Sequence, residues 1–327
     1  MSTGVIFFIL ISIVGFIVLK NILKSKKRKS SPRRLHNAPA VPALAEPGSV
    51  SYELAAKLED SIPADWAYAL KQRVLSEHSG ISEREYDWRW LELKRFFMMC
   101  AVLKQVPMFS RTVDEVWHEM LMYTQEYQRF STKFLGQMLH HAPSGEPSKP
   151  QPDERAWFDL VYVEMFGWNP YSEAIWGVFF RNPLPREELN LYRNDNLMLH
   201  TQNRFNSRTY EHLPEARKLI DSIRSSLNYR TNLSVQQFSN NKTKMNYNNT
   251  ELLLASAVFF SIHNPTGFAE QMTPADSRNR KDGASNCTAA SSCNSGSDDC
   301  NKSSCSAGSC SGSSCNSSCG SGCGGGD

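Results

Sequence analysis

Residues 112–143 hold the side chains most able to do chemistry. Asp114 and His118 stand four apart, and the pair His140-His141 follows further along the chain. Residues four apart in a helix project from the same face, so Asp114 and His118 would lie side by side. Together with His140 or His141 they could supply the three protein ligands of a divalent metal site that keeps an open position.

Two metal-free interpretations of these residues remain open. Asp114 could fix the tautomer of His118 for proton transfer. Alternatively the residues are structural: Asp114 adds favourable charge to a first helical turn, His118 borders the core, and His140-His141 satisfy carbonyls at the helix end. Glu119 projects from a different face from His118, so the pattern is not the two-histidine helix of a zinc protease.

The elements that must position these residues are helices. Apolar residues recur three and four apart over residues 50–229, and no long strand-like alternation occurs. Ser82 with Glu85, and Thr112 with Glu115, each fit a capping box that marks a helix start. The chain therefore predicts an all-α fold built as an irregular helical bundle.

Three of the predicted helices bear on the candidate site. They cover about residues 82–105, 113–138 and 153–167, the first stopping before Pro107 and the third ending at a glycine. The second should bury one stripe of side chains: Val113, Val116, Trp117, Met120, Thr124, Tyr127, Phe134 and Met138. Six tryptophans should supply much of the core: Trp88, Trp90, Trp117, Trp157, Trp168 and Trp176.

A longer motif surrounds the candidate ligands. It comprises Val113-Asp114-Glu115-Val116-Trp117-His118-Glu119-Met120, then Tyr127, Phe130 and His140-His141-Ala142-Pro143. This motif resembles the signature of the glycine-rich domain-containing protein-like family, over about residues 61–176. The resemblance implies a helical region and no established activity. Glu119-Met120 stand where many relatives have a further histidine, and Ser131 where a cysteine is common, which weakens the metal interpretation.

The N-terminus predicts a membrane anchor. Residues 4–23 are almost entirely apolar, and a helix of that length spans about 30 Å, the thickness of a bilayer core. A cleaved signal peptide is the alternative, but the basic residues follow the apolar run instead of preceding it. By the positive-inside tendency the N-terminus lies outside and the bulk of the chain in the cytoplasm. The net charge of +3 reflects this basic flank and does not favour nucleic acid as a partner.

Shifts in composition divide the chain into six predicted segments. They are an anchor (1–24), a basic Pro-Ala linker (25–49), a helical domain (50–229), a polar linker (230–250), a short apolar segment (251–272), and a disordered tail (273–327) rich in Cys, Ser and Gly. The apolar segment is too short to cross a membrane and should form a packed helix or an interfacial segment.

Eight of the nine cysteines lie in the tail, four to seven residues apart: Cys287, Cys293, Cys300, Cys305, Cys310, Cys315, Cys319 and Cys323. No Cys-x-x-Cys pair occurs, which argues against a defined zinc or iron-sulfur site. Loose capture of Cu(I) or Zn(II), a tail without a partner, and disulfides if the tail lies outside the cell all stay open. Cys100 lies in an apolar run and should be a core residue.

Two functional hypotheses follow from the sequence. The first is a membrane-anchored module that binds a protein or small-molecule partner without catalysis. The second is a metal-dependent enzyme or metal sensor that uses Asp114, His118, His140 and His141. The two differ in whether the helical domain holds a divalent metal.

Overall fold

The computed structural model describes residues 33–141, 151–193, 204–233 and 247–273. Within them the chain is mostly helical, and the one extended pairing there is a β-bridge between Leu103 and Phe205. The predicted all-α class is confirmed for this part of the chain. The helices are α1 (Arg33–His36), α2 (Tyr52–Asp60), α3 (Ala64–Glu77), α4 (Glu83–Val102), α5 (Arg111–Leu121), α6 (Thr124–Leu135), α7 (Pro152–Phe166), α8 (Pro170–Trp176), α9 (Arg186–Arg193), α10 (Ser207–His212), α11 (Pro214–Thr231), α12 (Thr250–His263) and α13 (Phe268–Met272).

No helix in these four ranges combines the length and the apolar character that a membrane crossing requires. The predicted anchor at residues 4–23 and the predicted cysteine tail lie outside the described residues.

Helix α4 lies in the middle of the bundle and forms as the capping pattern predicts. The Ser82 hydroxyl accepts a hydrogen bond from the Glu85 backbone N–H at 3.2 Å, which satisfies one of the unpaired donors of the first turn. The helix ends at Val102, three residues before the predicted end. It stops there because the chain becomes extended at Leu103 and pairs with the strand-like segment around Phe205.

Aromatic side chains fill the space around α4. Four of the six predicted core tryptophans are buried, namely Trp88, Trp117, Trp157 and Trp176. Trp90 and Trp168 are partly buried against the same core. The side chain of Trp66, on α3, is also buried. The Phe96 ring of α4 is tilted against Trp117 of α5 and stacked on Trp176 of α8.

The prediction of one helix over residues 113–138 is wrong, because the structure has two. Helix α5 ends at Leu121 and α6 begins at Thr124, and Tyr123 between them leaves helical backbone angles. The Tyr123 ring packs edge-on against Trp66, and its hydroxyl donates to the carbonyl of Ala69 at 3.3 Å. These contacts with α3 stabilise a bend that local propensity does not predict.

The ends of this predicted helix also differ from the structure. Ser110, not Thr112, caps α5: its hydroxyl accepts from the Val113 N–H at 3.4 Å. The Glu115 carboxylate is taken up instead by the buried Arg89, whose Nη1 donates to it at 2.9 Å. Helix α6 ends at Leu135 because Gly136 adopts the left-handed conformation, with φ of 70°.

Later segments add to the same core. Helix α7 runs over Pro152–Phe166 with Gly167 as its cap, close to the prediction. Helix α12 buries most of its side chains against α7, α9, α11 and α13, so the apolar segment predicted at 251–272 is a packed helix. The predicted linker at 25–49 contributes to the core as well, through Leu35, Ala38, Leu44 and Ala45. Because this linker is polar and rich in proline overall, its composition does not predict that these apolar side chains are buried.

Candidate metal centre

Three of the four predicted ligands converge. Helix α5 presents Asp114 and His118 one turn apart, and the segment after α6 brings His141 to them. The Nε2 atom of His141 lies 2.8 Å from Oδ1 of Asp114, and Nε2 of His118 lies 3.8 Å from Oδ2. One ligand atom from each residue lies within 4.8 Å of the other two.

Exposure to solvent differs among the three side chains. His141 is 10% exposed, Asp114 26% and His118 53%. The two imidazole rings meet at an angle of 63°, with centroids 4.7 Å apart. The cluster therefore has a fixed inner side formed by His141 and an open side next to His118, through which a small ion or ligand could enter.

Helix α5 is held firmly at the site. Val113, Val116, Trp117 and Met120 are buried on its inner face, which leaves Asp114 and His118 on the border between core and solvent. This amphipathic pattern is what directs the Asp-His pair outward. The candidate ligands on α5 therefore project from a helix whose other face is fixed by packing.

A second set of contacts fixes His141. The indole Nε1 of Trp117 donates to the hydroxyl of Tyr127 at 3.1 Å, and that hydroxyl donates to the carbonyl of Leu139 at 2.8 Å. The edge of the Trp117 ring also meets the His141 ring, with centroids 4.5 Å apart and the planes at 83°. Trp117, Tyr127 and His141 of the longer motif thus form one connected set of contacts beside the cluster.

The remaining predicted site residues have other places. His140 is exposed, and its ligand atoms are not among those that converge in this cluster, so its assignment as a ligand stays a prediction. Met120, Tyr127 and Phe130 are buried core residues as predicted. Thr124 and Met138, predicted for the buried stripe, are exposed because the helix bends and ends early. Pro143 and the eight tail cysteines lie outside the described residues.

Two single side chains outside the cluster also bear on α4 and α5. His78 is only partly exposed, and its Nε2 lies 3.1 Å from the Glu119 carboxylate. The same carboxylate accepts from Nε of Arg73 at 2.7 Å, which ties α3 to α5. His78 and Glu119 are 41 residues apart, so local spacing in the sequence does not predict that they pair. Cys100 packs partly buried against the core, and burial raises the pKa of its thiol.

Sequence reasoning missed a buried polar cluster around Glu92 of α4. The carboxylate of Glu92, fully buried, accepts from Ser172 Oγ at 2.7 Å, Tyr162 OH at 2.7 Å and Trp176 Nε1 at 2.6 Å. Arg95 Nη1 completes the set at 3.3 Å. The sequence does contain one indication of this cluster. A glutamate and an arginine stand three residues apart on the buried face of a helix rich in aromatic residues.

Comparison with known proteins gives one match. A family model described as UCP032817-like matches residues 59–159, a range that includes Asp114, His118 and His141. No curated protein and no solved structure gives a significant match. The matched range is under half of the chain, and its description names no activity.

The distances in the cluster suit a first-row metal ion. Metal–ligand bonds of about 2.0–2.2 Å place neighbouring ligand atoms roughly 3–3.5 Å apart, and the observed separations run from 2.8 Å to within 4.8 Å. Small rotations of the side chains would bring all three to one ion. Such an ion would replace the present hydrogen bond between Asp114 and His141.

Proposed function

We propose that the helical domain binds a divalent transition-metal ion through Asp114, His118 and His141. The observation that supports this most directly is the convergence of two imidazoles and one carboxylate within 4.8 Å, on two segments that separate contacts hold in place. Two donors one turn apart on α5 and a third from the segment after α6 meet at one point that solvent can reach.

The donor types narrow the choice of metal. Imidazole nitrogen suits Zn(II), Fe(II), Cu and Ni, whereas Mg(II) and Ca(II) prefer sites built from oxygen. Two histidines and one carboxylate with open positions form the donor set of non-haem Fe(II) sites, and three protein ligands plus water form that of catalytic zinc sites. The proposal therefore specifies Zn(II) or Fe(II).

The exposure of the three ligands favours a metal site that binds a further ligand over a purely structural metal site. Structural zinc sites are closed by four protein ligands, whereas one member of this triad is more than half exposed. A bound ion would keep at least one position for water or an external ligand. This matches a metal-dependent enzyme or a metal sensor, the second of the two hypotheses from sequence.

The test is metal content and affinity in the full-length chain. To keep thiolates from competing, the eight cysteines of the tail are replaced by serine, and this protein is called the tail-serine chain. We expect about one equivalent of Zn(II) or Fe(II) per chain by elemental analysis. We expect loss of that equivalent in His118→Ala and in His141→Ala.

The neighbouring histidine provides a matched control. His140→Ala removes an imidazole of the same type, one residue away, that does not join the cluster. It should keep the metal. Absence of bound metal in the tail-serine chain, or equal loss in all three alanine variants, would contradict the proposed site.

One observation favours a second candidate function, a metal-free proton-transfer pair. The 2.8 Å contact between Asp114 and His141 is a good hydrogen bond, and the carboxylate would orient the imidazole. Under this alternative the tail-serine chain carries no metal, and Asp114→Asn alters the NMR signals of the His141 ring. The metal analysis separates the two functions directly.

The position of the domain in the cell is a separate proposal. We retain the single-pass anchor at residues 4–23 in the lipid bilayer, with the bulk of the chain in the cytoplasm, on the support of the apolar run and the basic residues after it. A reporter active only outside the cytoplasm, fused after Arg34, should stay silent. Binding of an unidentified protein or small molecule, and the resemblance to the glycine-rich domain-containing protein-like family, likewise remain proposals.

A further inference from the structure

We propose that Tyr127 is a positioning residue of this site, and that its hydroxyl sets the place of His141 relative to Asp114 and His118. The proposal rests on the metal site proposed above. The described hydrogen bonds and ring contact of Tyr127 go to Trp117, Leu139 and Phe130, not to the three candidate ligands. It acts through the backbone of Leu139, two residues before His141.

The need for such a residue follows from the chain path. His118 lies on α5 and His141 lies beyond α6, and two breaks separate them: the bend at Met122–Tyr123 and the turn that begins at Gly136. Each break adds backbone freedom. A metal site whose ligands lie on both sides of two breaks requires contacts that fix the distance between them.

The hydroxyl of Tyr127 joins the two sides. It accepts from Nε1 of Trp117, the residue next to His118, and donates to the carbonyl of Leu139. The loop of contacts closes where His141 meets both Asp114 and the Trp117 ring. One hydroxyl therefore connects the helix that carries two ligands with the segment that carries the third.

Burial protects the two hydrogen bonds of the Tyr127 hydroxyl from competition with water. Tyr127 is 1% exposed and Trp117 is 4% exposed, so water does not readily replace either hydrogen bond. Burial also raises the pKa of Tyr127 to about 12. Without the hydroxyl, the carbonyl of Leu139 loses its partner, and the residues from Gly136 to His141 are held less firmly.

The chain offers a close control for this idea. Tyr247, which is 8% exposed, also donates its hydroxyl to a backbone carbonyl, that of Met272, at 2.7 Å. Its ring packs against Trp168 and Phe180, and its bond joins the segment before α12 to the end of α13. Tyr247→Phe and Tyr127→Phe thus delete the same chemical group and the same class of hydrogen bond.

The experiment measures the affinity of the tail-serine chain for Zn(II) by competition with a chelator. Removal of a contact that orients a ligand typically weakens metal binding 10–100-fold, so we expect Tyr127→Phe to raise Kd by about tenfold or more. Tyr247→Phe should change Kd by less than about twofold. The visible spectrum of the Co(II)-loaded protein should shift in Tyr127→Phe and stay as in the parent in Tyr247→Phe.

A purely structural role for Tyr127 predicts a different result. Both variants would then lower the melting temperature of the metal-free protein, and Kd would change equally in both or in neither; either outcome overturns the positioning role.

Failure of the underlying metal site gives a separate signature. If the parent tail-serine chain binds no Zn(II) or Fe(II), the site itself is refuted, and the role of Tyr127 with it. If the parent binds metal and Tyr127→Phe binds it equally well, the site stands and the positioning role alone is refuted.

Discussion

Two carboxylates at different depths in the bundle show how a structural polar cluster differs from a candidate functional one. Glu92 is fully buried on α4 and accepts hydrogen bonds from four side chains. Asp114 lies at the edge of α5, is 26% exposed, and faces two imidazoles. The first cluster has its acceptors filled by hydroxyl, indole and guanidinium donors.

The two carboxylates differ in whether they can still bind a ligand. A buried carboxylate surrounded by donors has no place for a ligand, and its charge is compensated within the fold. Around Asp114 the neighbours are imidazoles, which can give up a hydrogen bond and ligate a metal through the same nitrogen. Glu92 is deeply buried and its acceptors are filled, which indicates a role in stability. Asp114 is partly exposed and is therefore the candidate for binding.

The largest expected effect tests the structural half of this comparison. Glu92→Ala removes the acceptor from four donors and leaves the buried Arg95 guanidinium without its carboxylate. Breaking a buried ion pair by deleting one partner costs about 3–5 kcal/mol of the free energy of unfolding. Urea denaturation should show this loss, whereas Asp114→Ala in metal-free protein should cost less than about 1 kcal/mol because its pairs are partly exposed. Similar losses at the two sites would remove the distinction.

A second buried carboxylate, with fewer donors, sharpens the comparison through its pH dependence. Asp159 is fully buried, and among the described residues it accepts from Arg155 Nε at 2.7 Å and from the Phe180 N–H at 2.8 Å. Burial raises its pKa to about 6, although these two donors lower it. The folded state then binds more protons than the unfolded state between about pH 4 and 6. Stability therefore falls as the pH rises through that window, by on the order of 3 kcal/mol.

Substitution isolates this contribution. Asp159→Asn removes the ionisable group. Between pH 4 and pH 7 the free energy of unfolding of this variant should therefore fall by about 3 kcal/mol less than that of the parent chain, as measured by denaturation at fixed temperature. Asp60→Asn is the control, because the Asp60 side chain is 77% exposed; it should keep the parent slope. An unchanged slope in Asp159→Asn would show that this carboxylate resembles the compensated Glu92 after all.

What the sequence could predict depended on local pattern. The start of α4 at Ser82, the end of α7 at Gly167 and the Asp114–His118 spacing follow from capping, glycine chemistry and helical period, which short stretches encode. The bend at Tyr123 depends on contacts with Trp66 and Ala69, more than fifty residues earlier in the chain. No local pattern contains that information.

The candidate site shows the same division. The sequence predicted that both histidines of the 140–141 pair were candidates, since it could not tell which one faces α5. That choice depends on where α6 ends and on the bond from Tyr127 to Leu139, both of which are properties of the packed bundle. The Glu92 cluster was missed because its donors Tyr162, Ser172 and Trp176 lie far from it in sequence.

Metal should stabilise the fold through the open cluster alone. A ligand present at one hundred times its Kd adds about 2.7 kcal/mol to the free energy of unfolding. Zn(II) should therefore raise the melting temperature of the tail-serine chain, and His118→Ala should abolish the increase while His140→Ala retains it. Stabilisation that persists in His118→Ala would indicate an ion bound elsewhere and would break the contrast between the two clusters.

The smallest expected effect concerns the turn that leads to His141. Gly136 has a φ of 70° and Gly48 a φ of 82°, and a Cβ added at either position meets no atom within 4 Å. Alanine at each should therefore cost a similar amount of stability, about 1 kcal/mol, through backbone strain alone. Only Gly136 precedes the segment that places His141, so only Gly136→Ala should also weaken Zn(II) binding, by severalfold in a chelator competition. Equal Zn(II) affinity in the two variants would mean that the side-chain contacts of His141 hold it in place whatever the turn does, and that the open cluster is as rigid as the buried one around Glu92.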